Sequence, residues 1–300
     1  IRELVEACRR NYVDFVWAIH PGQDIRWNEE DYRNLVQKFE WMYDLGVRAF
    51  AIFFDDISGD GTDPERQTEL LNRLDADFVR AKGDVAPLVV CPTDYSRLWA
   101  NPTPQGSLAI YGRTLDPSVR VFWTGDVVCS DLTPETLAWV DSRIGRPAFY
   151  WWNYPVTDYA RHILMQGPVY GLDTTLTTDD LCGFVSNPME HGEASKLALY
   201  GVADYTWNTA AYNPIDNWER GLAELRGVPH LRHPFVRHGD GLPPRRVVGD
   251  RDVPHRRLHP RAGRGPAGGV RAGGCGARRA GGALRQPGAA GRAAAVARGV

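Results

Sequence analysis

Two adjacent aspartates, Asp55 and Asp56, follow an unbroken apolar segment at residues 49–54 and precede a loop rich in Gly, Asp and Pro. A continuous apolar segment bounded by turn residues predicts a strand buried on both faces. Neighbouring carboxylates at the end of such a strand repel each other and are costly to bury, so such pairs are usually retained for chemistry. The pair therefore predicts a catalytic site. The alternative is a helix N-cap beside an acidic loop.

Polar and aromatic side chains also end the other apolar segments. The set comprises His20, Asp94, Tyr95, Thr124, Asp126, Trp151, Asn153, Asp158 and Asn187. Indole rings cover the apolar face of a sugar, while amides and carboxylates bind its hydroxyls, so this composition predicts a carbohydrate pocket. No GxSxG motif indicates a nucleophilic serine, and no His/Cys cluster indicates a metal, so we expect neither a metal nor a cofactor.

The loop after Asp56 also imitates the opening of a calcium-binding loop. Position twelve of that loop would be Gln67 instead of Glu, and a strand precedes it where a calcium loop has a helix. His20 is interpreted as a satisfied polar group at a strand end, and Asp94 and Asp126 are left without a role.

These side chains need a scaffold that brings strand ends together. Strands are predicted at residues 13–20, 49–54, 87–95, 119–126, 147–154 and 182–188, and helices near residues 29–45, 64–82, 134–144 and 189–203. Such alternation predicts a parallel sheet, and functional side chains at the carboxyl ends of its strands favour a TIM (β/α)₈ barrel. A doubly wound sheet is the alternative, although no GxGxxG or GxxxxGK[ST] motif occurs. We expect strands 3–8 of the barrel here, with the first two missing.

Composition divides the chain into two parts. Residues 1–225 carry the aromatic content needed for a core and a net charge of −15, whereas residues 226–300 hold 16 Arg, no Lys and a net charge of +13. We expect a barrel domain over residues 1–225 and a disordered tail over residues 226–300. The tail is interpreted either as a GC-rich gene segment read out of frame or as a basic nucleic-acid-binding segment.

Other features set limits on the class of protein. No apolar stretch is long enough for a membrane helix, so no membrane span is expected. Cys91 and Cys182 lie in strand-like segments and are predicted to be buried thiols. The chain begins at Ile1 without a signal peptide. We expect further sequence upstream and a secreted or extracytoplasmic location for the full-length protein.

Several segments together resemble glycoside hydrolase family 84, the O-GlcNAcase, bacterial β-N-acetylglucosaminidase and hyaluronidase-like group. They are FVWAIHPGQDIRW, GVRAFAIFFDDISGDGT, VVCPTDY, VRVFWTGDVV, YWWNYPVTDY with GPVYG, and GFVSNPMEHGEASK. They follow the order of the family over about residues 10–220, and they are most similar to its bacterial members. The resemblance implies a TIM barrel and hydrolysis of β-linked N-acetylglucosamine, with retention, by substrate assistance.

The resemblance also implies a role for each matching residue. Asp55 would accept the acetamido N–H of the sugar, and Asp56 would be the general acid and then the base for water. For both to face one ligand, the backbone must leave strand geometry at this point. Among the remaining matches, Tyr95 and Trp151 would form the acetamido pocket, Asn153 would support the acetamido group, Asp158 would bind the O4 and O6 hydroxyls, and Asn187 would bind another hydroxyl.

Three functional hypotheses remain. The first is a retaining exo-β-N-acetylglucosaminidase acting on a glycan or glycoconjugate, with no nucleic-acid partner. The second is a catalytically impaired fragment that binds N-acetylglucosamine without turnover, since a barrel without its first two strands would leave the pocket open. The third is a barrel of another kind with a nucleic-acid-binding tail. The oligomeric state and the natural substrate are not set by the sequence.

Overall fold

The structure is a computed structural model that describes residues 1–158, 164, 166–226 and 293–296. Its helices are α1 (Arg2–Arg10), α2 (Glu29–Asp44), α3 (Pro64–Leu74), α4 (Ser107–Thr114), α5 (Pro134–Ile144), α6 (Gly192–Trp207) and α7 (Pro214–Arg226). Its strands are β1 (Asp14–Ile19), β2 (Ala49–Phe53), β3 (Val89–Cys91), β4 (Arg120–Trp123), β5 (Phe149–Trp152), β6 (Gly183–Ser186) and β7 (Ala293–Val296). Helices therefore alternate with strands along most of the described chain.

Strands β1 to β6 form one curled parallel sheet in which spatial order follows chain order. A doubly wound sheet reverses its strand order at a switch point, and no reversal occurs between β1 and β6. The described chain therefore has a partial TIM-like α/β fold, a half-barrel of six parallel strands with helices. The alternative of a doubly wound sheet is wrong.

The sheet buries side chains on both of its faces. Along β2, Phe50 and Ile52 pack into the large cluster under the helices, while Ala49, Ala51 and Phe53 pack into a second cluster on the concave face. All of β2 is buried, as the apolar segment predicted. Because β1 and β3 also pair with its two edges, β2 is held from every side.

Capping residues explain where two of the helices begin. The Asn28 side chain accepts the Asp31 N–H at 2.9 Å and starts α2, and the Thr133 hydroxyl accepts the Thr136 N–H at 3.3 Å and starts α5. Both caps confirm predictions from the sequence. The helix predicted over residues 64–82 is α3, which continues as a π-helical segment over Asp75–Arg80.

Two helices were not predicted. The segment of α4 follows a loop rich in Pro and Gly, which conceals its helical pattern, and α7 lies beyond the last predicted helix.

Most of the tail lies outside the described residues. The described part of it beyond α7 is β7, which pairs antiparallel with β1, so that Asp14 lies opposite Val296 and Trp17 opposite Ala293. The disorder, frame and partner of residues 226–300 therefore stay predictions. Within the described ranges, no helix combines the length and apolarity needed to cross a membrane.

Phe39 of α2 gives a direct test of the core. Its ring is fully buried, stacks on Phe50 with centroids 4.7 Å apart and meets Phe78 edge-on at 5.3 Å. Replacing it by Ala removes these contacts and leaves a cavity, so Phe39→Ala should lower the free energy of unfolding by about 3–5 kcal/mol in urea titrations.

Trp41 of the same helix is the matched control, because its side chain is 57% exposed. Trp41→Ala should change the free energy of unfolding by no more than about 0.5 kcal/mol. Equal losses for the two variants would contradict this placement of the core.

Candidate active site

The two aspartates lie on a turn directly after β2. The strand ends at Phe53, and Asp56 adopts a left-handed backbone with a φ of +54°. This conformation costs a non-glycine residue about 1 kcal/mol, although Asp tolerates it better than most. The backbone therefore leaves strand geometry here, as the sequence predicted for two consecutive side chains that face one ligand. Asp55 is half-buried and Asp56 is exposed.

Tyr95 and Cys91 lie next to the aspartates. The Tyr95 hydroxyl donates to Asp56 Oδ1 at 3.2 Å. Burial and then the negative charge of Asp56 raise the pKa of the Tyr95 phenol. Burial, followed by the charges of Asp55 and Asp56, likewise raises the pKa of the Cys91 thiol. Cys91 is 2% exposed, so it is the buried thiol that the sequence predicted, and it is kept protonated. Cys182 is only half-buried.

A buried hydrogen-bond network fixes the backbone just before the aspartates. Gln67 of α3, which is 1% exposed, donates from Nε2 to the Gly61 carbonyl at 2.7 Å and to the Thr93 hydroxyl at 3.0 Å. Thr93 then donates to the Phe54 carbonyl at 3.0 Å, and the Tyr111 hydroxyl donates to Gln67 Oε1 at 2.6 Å. The network joins the loops after β2 and β3. It therefore fixes the position of the backbone immediately before Asp55.

The backbone after Asp55 is held from the β1 side. The Gln23 side chain donates to the Asp56 carbonyl at 2.8 Å and accepts the Ser58 N–H at 2.9 Å. The Ser58 hydroxyl also donates to Gln23 Oε1, at 3.1 Å. One amide thus bridges the Asp56 carbonyl and the Ser58 N–H, on either side of Ile57.

A second group of predicted site residues lies at the ends of β5 and β6. The Trp151 indole N–H donates to Asn153 Oδ1 at 2.9 Å, and Asn187 Nδ2 donates to the same oxygen at 2.9 Å. Asn153 Nδ2 donates to the Val128 carbonyl at 2.6 Å. These bonds fix the orientation of the Asn153 amide, and they bring Trp151, Asn153 and Asn187 together.

Asp158 is exposed and borders a cavity on the concave face of the sheet. This cavity has a volume of about 1350 Å³, and Trp151, Asp158 and Asn187 are among its lining residues. Asp55, Asp56 and Tyr95 do not line it. The structure therefore gives two groups at the carboxyl edge of the sheet: the aspartates with Tyr95, and the Trp151 group beside the cavity.

The remaining strand-end residues have structural partners. His20 Nδ1 accepts the Gly22 N–H at 3.0 Å, in line with its interpretation as a satisfied polar group. Asp94 accepts the Ser107 hydroxyl at the start of α4, and burial raises the pKa of its carboxyl group. Asp126 accepts the Thr136 hydroxyl at 3.2 Å. Thr124 donates to the Tyr95 carbonyl at 3.1 Å and thus holds the Tyr95 backbone.

Sequence reasoning missed Gln23, Gln67, Thr93 and Tyr111 as determinants of the site. Gln23 follows a predicted strand, so its position was a usable signal. Nothing in the sequence connects Gln67 and Tyr111, which are 44 residues apart. The Gln67 side chain is occupied by its network and is not aimed at a calcium loop. Across the described residues, no group of three or more His, Cys, Asp or Glu side chains could hold a metal ion.

Comparison with known proteins identifies the family. A sequence model described as beta-N-acetylglucosaminidase matches residues 1–237. The chain belongs to this family, glycoside hydrolase family 84. The O-GlcNAcases of Rattus norvegicus and Mus musculus are each 30% identical to it over 225 residues, which are 71% of this chain and 24% of those proteins. The chain thus spans about a quarter of the length of these curated family members.

Solved structures in family 84 have the same fold. CpGH84B is 35% identical with a TM-score of 0.71, and the match covers 76% of this chain and 41% of that one. A mutant of the Thermobaculum terrenum O-GlcNAc hydrolase is 32% identical with a TM-score of 0.69, and the match covers 75% of this chain and 50% of that one. The family resemblance of the sequence is therefore confirmed.

Gln67 allows a test of the buried network behind the site. Gln67→Ala would leave the Tyr111 and Thr93 hydroxyls and the Gly61 carbonyl short of partners, so it should lower the free energy of unfolding by about 1–3 kcal/mol. Tyr111→Phe, which removes one hydroxyl, should cost about 1 kcal/mol in the same urea titration.

The matched control is Gln37→Ala, because Gln37 is an exposed glutamine on α2. We expect a change within about 0.5 kcal/mol for this variant. If Gln67→Ala changes the free energy of unfolding no more than Gln37→Ala does, the network does not hold the loops.

Proposed function

We propose that the protein is a retaining exo-β-N-acetylglucosaminidase that uses the acetamido group of its substrate as the nucleophile. The observation that carries this proposal is the turn after β2, where Asp55 and Asp56 follow each other and Tyr95 donates to Asp56. Membership in family 84 supports the choice of substrate, because the relatives named above are O-GlcNAcases and an O-GlcNAc hydrolase.

The chemistry divides between the two aspartates. Most retaining glycosidases place a carboxylate nucleophile opposite an acid, on either side of the bond that is cut. Consecutive residues on one turn are poorly suited to that arrangement. In the proposed mechanism, the acetamido oxygen attacks the anomeric carbon, an oxazoline forms, and the bond to the leaving oxygen breaks. Asp55 accepts the acetamido N–H and stabilises the positive charge that develops there.

Asp56 supplies the proton in the proposed mechanism. It protonates the leaving oxygen as the bond breaks, and it then takes a proton from the water that opens the oxazoline. Because the Tyr95 hydroxyl donates to Oδ1, we assign the transferred proton to Oδ2. The exposure of Asp56 is consistent with this role, since the departing group has to leave toward solvent.

The Trp151 group would hold the sugar. The Trp151 ring is proposed to cover the acetamido methyl, with Asn153 supporting the acetamido group. Asp158 and Asn187 are proposed to bind ring hydroxyls, which fits their position on the cavity wall. The proposed substrate is a glycan or glycoconjugate that ends in β-linked N-acetylglucosamine.

Replacement of Asp56 tests the mechanism. Asp56→Asn keeps the size of the side chain and removes the proton, so kcat on an alkyl N-acetylglucosaminide should fall by about 10²- to 10⁴-fold. Initial rates measured with purified protein give the comparison. If the variant keeps the kcat of the unmodified chain, Asp56 is not the general acid.

Asp126→Asn is the matched control for this variant. Asp126 also follows a strand, is exposed and accepts the Thr136 hydroxyl, which an Asn can still accept. Its kcat should equal that of the unmodified chain. An equal loss in both variants would indicate general damage instead of a missing acid.

A sugar-binding module without turnover is the second candidate. It is favoured by one observation, namely that Trp151, Asp158 and Asn187 line the cavity while Asp55 and Asp56 do not. Calorimetric titration with N-acetylglucosamine beside the rate assay separates the two candidates. Binding that Trp151→Ala weakens, together with no hydrolysis, supports the module. Hydrolysis supports the enzyme, and the absence of both activities contradicts both candidates.

A further inference from the structure

We infer that Gln23 is a positioning residue for Asp56, and that it fixes the direction of the proposed acid from the neighbouring strand. This inference rests on the proposed function for its catalytic consequence, and on the hydrogen bonds of Gln23 for its structural basis. Gln23 belongs to the loop after β1, whereas Asp56 belongs to the turn after β2. The two residues are 33 positions apart in the chain.

The geometry of the Gln23 amide matches the turn it holds. Its Nε2 donates to the Asp56 carbonyl at 2.8 Å, while its Oε1 accepts the Ser58 N–H at 2.9 Å. A donor and an acceptor on one planar group thus engage an acceptor and a donor two residues apart. Such a paired contact fixes both the distance and the orientation of the backbone between them.

The first of these two contacts is made to the residue whose backbone needs support. Asp56 has a left-handed φ of +54°, a conformation that persists only where surrounding contacts maintain it. The Gln67 network reaches the Phe54 carbonyl on one side of the pair and the Gly61 carbonyl beyond the turn. Gln23 contacts Asp56 itself. It therefore acts on the backbone of the acid, whereas Tyr95 contacts its carboxylate.

Gln23 has no direct role in the proposed chemistry. Both of its polar atoms are engaged with the backbone or hydroxyl of the turn, and neither contacts the Asp56 carboxylate. Its removal would leave the Asp56 carboxylate with its Tyr95 hydrogen bond, on a backbone that has lost the bridge to Ser58. A misplacement on the order of 1 Å can cost about 100-fold in rate, so a positioning residue has a measurable effect on turnover.

Hydrogen–deuterium exchange tests the inference without requiring turnover. In the 300-residue chain, Gln23→Ala should speed exchange of the amides of residues 56–58, because the Ser58 N–H loses its acceptor and the turn its bridge. Gln23→Glu keeps that acceptor and places an oxygen against the Asp56 carbonyl. It should therefore loosen the turn as well. Gln37→Ala, in which an exposed glutamine of α2 is replaced, should leave exchange unchanged.

Unchanged exchange at residues 56–58 in Gln23→Ala would overturn the inference. So would a Gln23→Glu variant that exchanges like the unmodified chain, since the bond to the Asp56 carbonyl would then not hold the turn. Thermal unfolding midpoints close to that of the unmodified chain are expected for all three variants, because these side chains are exposed.

The catalytic effect of Gln23 is tested separately, by measuring kcat on a series of N-acetylglucosaminides whose leaving groups rise in pKa. A mispositioned acid matters most when the leaving group is a poor one, so the loss of kcat in Gln23→Ala should grow along the series, from little to about 10- to 100-fold. A uniform loss would indicate a structural role and overturn the positioning role. If the unmodified chain hydrolyses nothing, the proposed function fails, and the exchange result still decides the role of Gln23.

Discussion

The site depends on the complete burial of β2. Its side chains pack under the helices on one face and into the concave cluster on the other, and β1 and β3 hydrogen-bond to its edges. A charged residue along such a strand would be costly, because all five of its residues are buried. Charge is placed at lower cost where the chain leaves the sheet. Asp55 and Asp56 stand at that point, on the carboxyl edge where parallel strands of this fold class build their sites.

The turn at Asp55 and Asp56 is held by hydrogen bonds from other parts of the chain. The left-handed Asp56 is held by side chains from other elements: Gln67 from α3 through Thr93, and Gln23 from the loop after β1. One of these supports is buried and satisfied by Tyr111, whereas the other is exposed. The buried support couples the turn to the stability of the fold. The exposed support affects the turn with little consequence for the core.

The half-barrel and the placement of the candidate residues at strand ends could be predicted from the sequence, because both follow from local patterns. The apolar segment before Asp55 indicated a doubly buried strand, and the caps at Asn28 and Thr133 indicated where helices begin. The connection of Gln67 with Tyr111 could not be predicted, since it joins helices that are distant in sequence. Nor does the sequence indicate that Asn153 accepts from both Trp151 and Asn187. Such pairings depend on how the strands are arranged in space.

The Asn153 amide determines which polar groups remain for a ligand at the ends of β5 and β6. Among bonds between described residues, its oxygen accepts two donors and its nitrogen gives one hydrogen to Val128. An amide oxygen has two lone pairs and an amide nitrogen two hydrogens, so one N–H of Asn153 is left. The indole N–H of Trp151 is already used, so this residue can offer only its ring. Asn187 keeps its oxygen and one hydrogen. The Trp151, Asn153 and Asn187 side chains therefore present an apolar ring flanked by two donors and one acceptor. None of the three is charged, so they discriminate between ligands by shape and by hydrogen-bond polarity.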